Sequence, residues 1–333
     1  MKLSLYLIPA IVMVQTASAQ FAPQAGVAGT TAISKSSAQI KGWASGCTVE
    51  RGWLDIADPS KGSPTIGLNS DAVGAADNSV ISLGDSGVAV LTFSSPIYNG
   101  AGADFAVFEN GFINPSNKEE AFLELAFVEV SSDGINYFRF PAASYTPETT
   151  QVPGAGVYLD AKYINNLAGK YSGGYGTPFD LEELAGKPGL DINQVTHVRV
   201  VDVIGSVSNN TSLDTSGRKI NDPYPTPFPG GGFDLDAVGA IYLRDVGVDD
   251  FKNKNLTSIY PNPVADYLNI QLGSGSDEPI SLLITDVTGK VLSSTVLSQP
   301  ENKISFTAYH SGIYYLQFSD AKGNKWVERI TKL

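Results

Sequence analysis

The stretch "PGGGFDLDAVGAIYL", Pro229 to Leu243, sets two aspartates at the mouth of a strongly apolar run. Two residues apart in a strand, Asp234 and Asp236 point their carboxylates to one face, roughly 7 Å from each other. Like charges placed this way call for something positive between them. Asp104, Glu109 and Asp222 also stand at strand ends or in loops around apolar runs. Oxygen-rich loops of this kind suit Ca²⁺, which takes about six to eight oxygen ligands. Asp104, Glu109, Asp222, Asp234 and Asp236 are therefore the expected metal ligands, and Gly230 to Gly232 would let backbone carbonyls come close. The plainer alternative is that the aspartates are solvated or pair with Arg199, Arg218 or Lys219. Asp202, inside "VTHVRVVDVIG", needs a partner, and an arginine serves as well as a metal.

Other chemistry is thinly represented. Glu124 and Glu129 in "AFLELAFVEVSS" are an odd number of residues apart, which puts them on opposite faces, at most one toward the core and the other toward solvent. Two carboxylates can hydrolyse a glycoside, but only at a defined separation, which nothing here sets. His197 is the one histidine before the C-terminal segment, and a lone strand histidine serves structure more often than catalysis. Cys47 is the only cysteine, so no internal disulfide forms and zinc has too few ligands. The metalloprotease, nucleophile-elbow and P-loop patterns are all missing. No catalytic residue is assigned. A ring exposed in a loop stacks on a sugar or a flat apolar ligand at low entropic cost. Tyr175, Tyr224 and Phe228, in Gly/Pro-rich loops, are the expected ligand contacts, with Asn110 beside Glu109. Trp43 and Trp53 are expected in the core.

These residues must be positioned by strands. The chain has 333 residues, 34 Gly, 19 Pro, 15 Tyr and 15 Phe, and only 17% charged residues, a mix that suits a turn-rich all-β protein. Strand-like runs include "GVAVLTFSSPI", "ADFAVFEN", "AFLELAFVEVSS", "NYFRFP" and "VTHVRVVDVIG". Asp133-Gly134 in "SSDGIN" supplies the positive φ of a hairpin connection. Helix is scarce: "DLEELAG" predicts one short helix capped by Asp180, and "DAKYINNLAGKY" another turn or two. Residues 142–194 and 206–232 read as long irregular segments, the second feeding straight into Asp234. The net charge of −12 and the lack of a basic block exclude the electrostatic footprint of nucleic-acid binding.

The amino terminus, "MKLSLYLIPAIVMVQTASAQ", reads as a secretory signal peptide over residues 1–19, with Ala17-Ser18-Ala19 as the cleavage site. No cysteine follows it, so a lipid anchor is not expected. Residues 20–37 read as a loose lead, 38–245 as the main domain and 246–257 as a charged linker. From residue 258 to 333 a compact β pattern restarts, with six short strands that fit a small Ig-like sandwich.

That last segment carries "YPNPVADYLNI", "ITDVTGKVL", "SGIYYLQF" and a terminal "ERITKL". In order, spacing and placement it resembles the C-terminal sorting domain of the type IX secretion system of Bacteroidetes. The resemblance implies export across the outer membrane by that machinery, with release or surface attachment. Tyr260, Pro261, Asn262, Pro263 and Lys332 then belong to the sorting signal. In the main domain "VEVSSDGINYFRF" resembles a hairpin of galactose-binding-like jelly rolls. The wider set with "GADFAVFENGF" and "INDPYPTPFPGGGFDLDAVGAI" resembles a family of bacterial secreted surface proteins. That resemblance implies capture of a glycan or another small nutrient, a corrinoid among them, near a TonB-dependent outer-membrane transporter. The expected architecture is a jelly-roll-like β-sandwich followed by a sorting β-sandwich. The leading expectation is a Ca²⁺-stabilised, non-enzymatic binding protein. A polysaccharide hydrolase using Glu109 or Glu124, and an adhesive surface component, are the alternatives.

Overall fold

In a computed structural model the described residues are 21–154, 156–208, 210–244, 256–273, 279–320 and 325–333. The signal peptide and nearly all of the predicted linker lie outside them. The chain is all-β and divides into two units, Met1–Arg244 and Asp245–Leu333. Among the described residues no helix is long and apolar enough to cross a membrane.

The first unit is a two-sheet sandwich. One sheet orders Ile33–Ser34, Tyr175–Phe179, Phe105–Glu109, Asp234–Ala240 and Gly42–Trp43, with Ile81–Ser82 also paired to Asp234–Ala240. The other orders Phe138–Arg139, Ala126–Ser131, Val195–Asp202, Val88–Ile97 and Gly46–Glu50. Every pairing in both is antiparallel. In the second sheet buried and half-buried residues alternate along Val195–Asp202, the period of a strand with one face on the core. Phe105–Glu109 is buried throughout, and so is Asp234–Ala240 from Leu235 onward. The reason is a second apolar layer. Ile33, Ile40 and Trp43 pack on Ala106, Phe108 and Ala237, on the side away from the main core. Strands covered on both faces read as unbroken apolar runs, as "ADFAVFEN" and "AVGAIYL" do.

That layer corrects the expectation of a loose lead. Phe21 N donates to Lys162 O at 3.0 Å, and Lys35 N to Gly174 O at 3.0 Å. Gln24 is fully buried; its carboxamide oxygen accepts from Ala25 N and Ser172 N, and its Nε2 donates to Lys170 O. The long segments are likewise built rather than irregular. Short strands Phe112–Asn114, Asn117–Phe122 and Leu159–Asp160 form a small sheet. A satellite core of Leu123, Phe127, Leu167, Val203 and Ile220 packs in the same region. Fully buried Asn221 ties the second segment down, donating to Pro147 O and Thr150 O and accepting from Val152 N. Both predicted helices are single 3₁₀ turns, Ala161–Tyr163 and Leu181–Leu184, capped by the side chains of Asp160 and Asp180. Trp53 is 41% exposed, not in the core, whereas Trp43 is partly buried.

The second unit packs Leu256–Tyr260, Tyr267–Leu272 and Glu301–Ser305 against Val291–Leu297, Ile280–Asp286, Gly312–Ser319 and Lys325–Lys332. Its core includes Leu282, Phe306, Leu316, Phe318 and Trp326. Seven strands are described where six are expected, Leu256–Tyr260 leading into the YPNP motif being the addition.

In the first unit Phe105, Phe140 and Phe179 meet with ring centroids 5.0–5.9 Å apart at the center of the main core. Phe179→Ala leaves a cavity there and should cost about 3–5 kcal/mol in urea denaturation of the exported chain. Trp53→Ala, at an exposed ring, should cost under about 1 kcal/mol.

Candidate functional site

The opening pair of aspartates does not act as a pair. The register of Asp234–Ala240 on Phe105–Glu109 shifts between Leu235 and Ala237, so Asp236 sits in a bulge. Asp234 accepts from Ser82 Oγ and from Asn110 Nδ2 (3.2 Å). Asp236 is held from elsewhere: its Oδ1 accepts from Asp77 N and Asn78 N at 3.0 and 3.2 Å, and its Oδ2 is buried with no partner. Neither pairs with Arg199, Arg218 or Lys219. Those cations are engaged with Glu129, Asp214 and Val207 O respectively.

What gathers instead is a run of buried carboxylates through the interior. Glu109 ends its strand with Oε2 accepting from Gly111 N at 2.8 Å and Oε1 buried without a partner. Gly111 has to be glycine here, because a Cβ would stand 2.5 Å from Phe122 O and 2.8 Å from Glu109 Oε2. Glu124 is only 5% exposed and its carboxylate makes no hydrogen bond or ion pair among the described residues. Asp222 accepts from Leu125 N at 2.9 Å. Asp202 accepts from Ser86 N and Phe233 N at 3.0 and 2.7 Å, so its partners among the described residues are backbone amides and not an arginine. Among the described residues none of Glu109, Glu124, Asp202, Asp222, Asp234 and Asp236 forms an ion pair.

Burial pushes all six above the ordinary carboxylate range. Their neighbours add to it: Asp234 and then Asp236 raise Glu109, while Asp234, Glu109, Asp222 and Asp202 in turn raise Glu124. The run continues to Asp85, pushed up to about 6 by burial and the charge of Asp55. There Lys61 Nζ sits 2.6 Å from Asp55 Oδ2, and at the other end the charge of Lys35 acts on Asp236 against its burial.

The expected metal set therefore does not assemble. Asp104 stands at the opposite end of the Phe105–Glu109 strand from Glu109, accepting from Gly100 N and Leu181 N at 2.7 Å each. Asp236 is turned to residues 77–78. Among the described residues, no three Asp, Glu, His or Cys side chains are placed to hold a metal ion. Gly232, at φ +76°, lets its loop approach the backbone of Gly84, so its freedom serves a loop contact within the fold. Glu129 also departs from expectation. Both glutamates are buried, but Glu129 lies under Arg139 and Arg199, whose guanidinium groups cover Phe127 and Tyr137. Cys47 is half-buried, its thiol pushed up to about 11 by burial, which suits a packing role.

Of the expected ligand contacts, Tyr175 (38% exposed) begins the strand that pairs beside Phe105–Glu109, and the backbone of Gly173 meets Gly111. Asn110 is committed to Asp234. Tyr224 is half-buried and donates to Asp55 Oδ1 at 2.9 Å, and Phe228 is exposed. A larger aromatic surface escaped the sequence reading. Phe112 stacks on Phe122 with centroids 5.1 Å apart and planes 13° apart, and Tyr158 meets Phe112 edge-on at 6.1 Å. Phe112 is 52% exposed and lies three residues from Glu109; Phe122 lies two from Glu124. The signal was available: Phe112 and Phe122 flank the turn "INPSNKEEA", the pattern of a cross-strand pair. Two cavities, of about 260 and 370 Å³, open elsewhere on the first unit and include none of the predicted metal or ligand residues.

The raised carboxylates have a consequence for pH. A carboxyl whose folded pKa exceeds its unfolded value of about 4 stabilises the fold fully below that value. The contribution is lost as pH rises through the folded pKa. Asp133, held far down by the backbone and side chain of Asn136, loses its contribution only in strong acid. Without added metal, melting temperature should therefore rise between pH 8 and pH 5. Glu124→Gln removes an unpartnered buried charge and should stabilise the protein at pH 8 by about 1–3 kcal/mol, with little change at pH 5. A flat melting profile, or destabilisation at pH 8, would show that Glu124 has a counter-charge.

The C-terminal unit has its own arrangement around the sorting motif. Asn262 Nδ2 donates to Arg329 O and its Oδ1 accepts from Thr331 N, both at 3.0 Å. Val264 N donates to Thr331 O at 2.8 Å, and Leu333 N to Val264 O at 2.9 Å. The YPNP loop thus clasps the terminal strand along its edge. Tyr260 is exposed, and Lys332 Nζ reaches the carbonyl of Leu333.

Residues 258–332 match the family described as the secretion system C-terminal sorting domain. No curated protein matches the chain. Solved structures with similar stretches include β-glucuronidases of Ruminococcus gnavus (12% identity, 88% of this chain, 45% of theirs, TM-score 0.21). The Faecalibacterium prausnitzii β-glucuronidase is comparable (12%, 90%, 46%, TM-score 0.22). The chain spans less than half the length of these enzymes, and TM-scores this low carry no argument about fold or activity. The jelly-roll resemblance of the first unit gains nothing from them. With the motif and its clasp in place, residues 258–332 are a type IX secretion sorting domain, and the protein that bears them is exported to the cell surface or released from it.

Proposed function

We propose that the first unit is the exported cargo and acts as a non-catalytic binding module for a glycan, seated on the Phe112–Phe122 platform. The observation that carries the reading is that stacked pair, exposed beside a backbone held rigid by Glu109, Gly111 and the buried carboxylates. A flat aromatic face stacks on a sugar ring, and Tyr158, edge-on to Phe112, extends the surface. Non-catalytic binding fits the carboxylates better than hydrolysis does. Glu109 and Glu124 are buried in the interior, where a substrate has no access to them. The carboxylates at the smaller cavity, Asp180 and Glu183, belong to one short turn and cannot flank a bond from two sides.

The test is a glycan array and a corrinoid titration on the purified exported protein. One or more glycans should bind, and Phe112→Ala should weaken them by at least about tenfold with the fold intact by circular dichroism. Binding unchanged in Phe112→Ala would move the site off the platform. Reducing-sugar release from a bound glycan would replace binding with hydrolysis. The calcium expectation is read in parallel: a native-state ligand raises the melting temperature, and a chelator lowers it. No response leaves protonation as what relieves the carboxylates.

A further inference from the structure

Lys170 is 3% exposed and lies far from the aromatic platform in its chemistry: it is a buried cation in a protein of net charge −12. Its ammonium makes no ion pair and donates no hydrogen bond among the described residues. Its nearest described company is aromatic, with Nζ 5.8 Å from the ring center of Phe21 and 5.4 Å from that of Tyr171. A buried charge without a partner is costly, and folded proteins almost always supply one. Lys170 lines the cavity of about 260 Å³. Thr177 lines the same cavity, and its Oγ1 is buried with no partner either. An orphaned hydroxyl and an unpaired ammonium, from separate segments, therefore border one half-open cavity.

The rest of the wall joins apolar Ile33, Ala103 and Pro178 to polar side chains, several of them held in place. Tyr171 and Thr31 share a hydroxyl–hydroxyl bond of 2.8 Å. Asn166 Nδ2 donates to Glu183 Oε2 and to Pro141 O, at 2.5 and 3.2 Å. Glu183 is raised by burial, and Lys170 is lowered to about 8 by the same cause, against the opposing charge of Asp160. A space this small is below the usual range for drug-sized ligands, roughly 300–1,000 Å³, and suits a molecule of monosaccharide size.

We propose that this cavity binds a small hydroxylated carboxylic acid of sugar-acid size, its carboxylate on the Lys170 ammonium and its hydroxyls on Thr177 Oγ1, Asn166 and Glu183. The ammonium supplies the one positive charge on the wall and is the group that would meet an anion, while Asp180 and Glu183 supply two carboxylates. Those carboxylates accept hydroxyl donors and repel a carboxylate, so they set which end of the ligand faces Lys170. The site depends on the docked lead, since Thr31 and Ile33 form part of its wall. It is independent of the glycan platform, and either can fail without the other.

The probe is D-galacturonate, with D-galactose as the neutral match, titrated calorimetrically into the purified exported protein. Galacturonate should bind at least about tenfold more tightly than galactose, one charged hydrogen bond being worth that factor. Lys170→Met should abolish the difference, and Thr177→Val should weaken galacturonate several-fold with its preference over galactose kept. Both variants should melt no lower than the parent, because each removes an orphaned polar group. A second readout uses the amine itself: galacturonate should slow acetylation of Lys170 by acetic anhydride, followed by peptide mass spectrometry, and galactose should not. Equal binding of acid and neutral sugar, no binding of the acid, or full galacturonate affinity in Lys170→Met would each overturn the proposal.

Discussion

Five buried carboxylates and the half-buried Asp234, with no ion pair among the described residues, are the constraint around which the first unit is arranged. A desolvated charge is tolerated when hydrogen bonds replace water, and here backbone amides supply most of them. Asp202 accepts from Ser86 N and Phe233 N, Asp222 from Leu125 N, Asp236 from Asp77 N and Asn78 N, and Glu109 from Gly111 N. Each of those amides lies in a connection or at a strand end. The carboxylates therefore act as staples for loops that no regular ladder would hold. Asp234 is held by the side chains of Ser82 and Asn110 instead, and Glu124 alone accepts no hydrogen bond among the described residues; its charged neighbours are Asp234, Glu109, Asp222 and Asp202.

The same device appears where no site is suggested. Asp104 staples residues 100 and 181, Asp214 holds Ser144 N and Arg218, and Asp133 shapes its hairpin turn. In the C-terminal unit an amide side chain replaces the carboxylate, with Asn262 bridging two backbone groups of the terminal strand. An exported chain with one cysteine cannot close its loops with disulfides. Buried side-chain acceptors on backbone donors serve in their place, which accounts for aspartates and asparagines so deep in the fold. Where a buried glutamate is paired, at Glu129 with Arg139 and Arg199, the two guanidinium groups lie over the rings of Phe127 and Tyr137.

Besides Asn99 Oδ1 and Trp326 Nε1, buried polar groups with nothing among the described residues to answer them stand at two places, in the first unit's interior and at its cavity wall. At the interior run Glu109 Oε1 and Asp236 Oδ2 are orphaned; at the small cavity Thr177 Oγ1 is orphaned, and the Lys170 ammonium beside it makes no ion pair or hydrogen bond among the described residues. They differ in kind. The first pair sits in packed protein, where raised pKa values let a proton do the work of a counter-ion. The second borders open volume, where a molecule has room to enter.

The sequence by itself determined the all-β class, the hairpin at Asp133-Gly134, the break before residue 258 and the identity of the sorting domain. Each of these is local: period-two patterning, turn chemistry, or a contiguous motif. It also marked Glu109, Asp222, Asp234 and Asp236 as residues that needed an explanation. Only the tertiary structure decided what the explanation is. A bulge at Asp236 separates it from Asp234, and a period-two argument has no means of seeing one extra residue in a ladder. Asp104 and Glu109 read as members of one set, but the strand between them carries them to opposite ends. Lys170 and Thr177 stand seven positions apart, on a loop and a strand, and nothing in either neighbourhood announces a cavity. The lead read as loose because its residues are polar and irregular; it is fixed by backbone bonds to segments more than a hundred residues away, and long-range pairing of that kind leaves no trace in local composition.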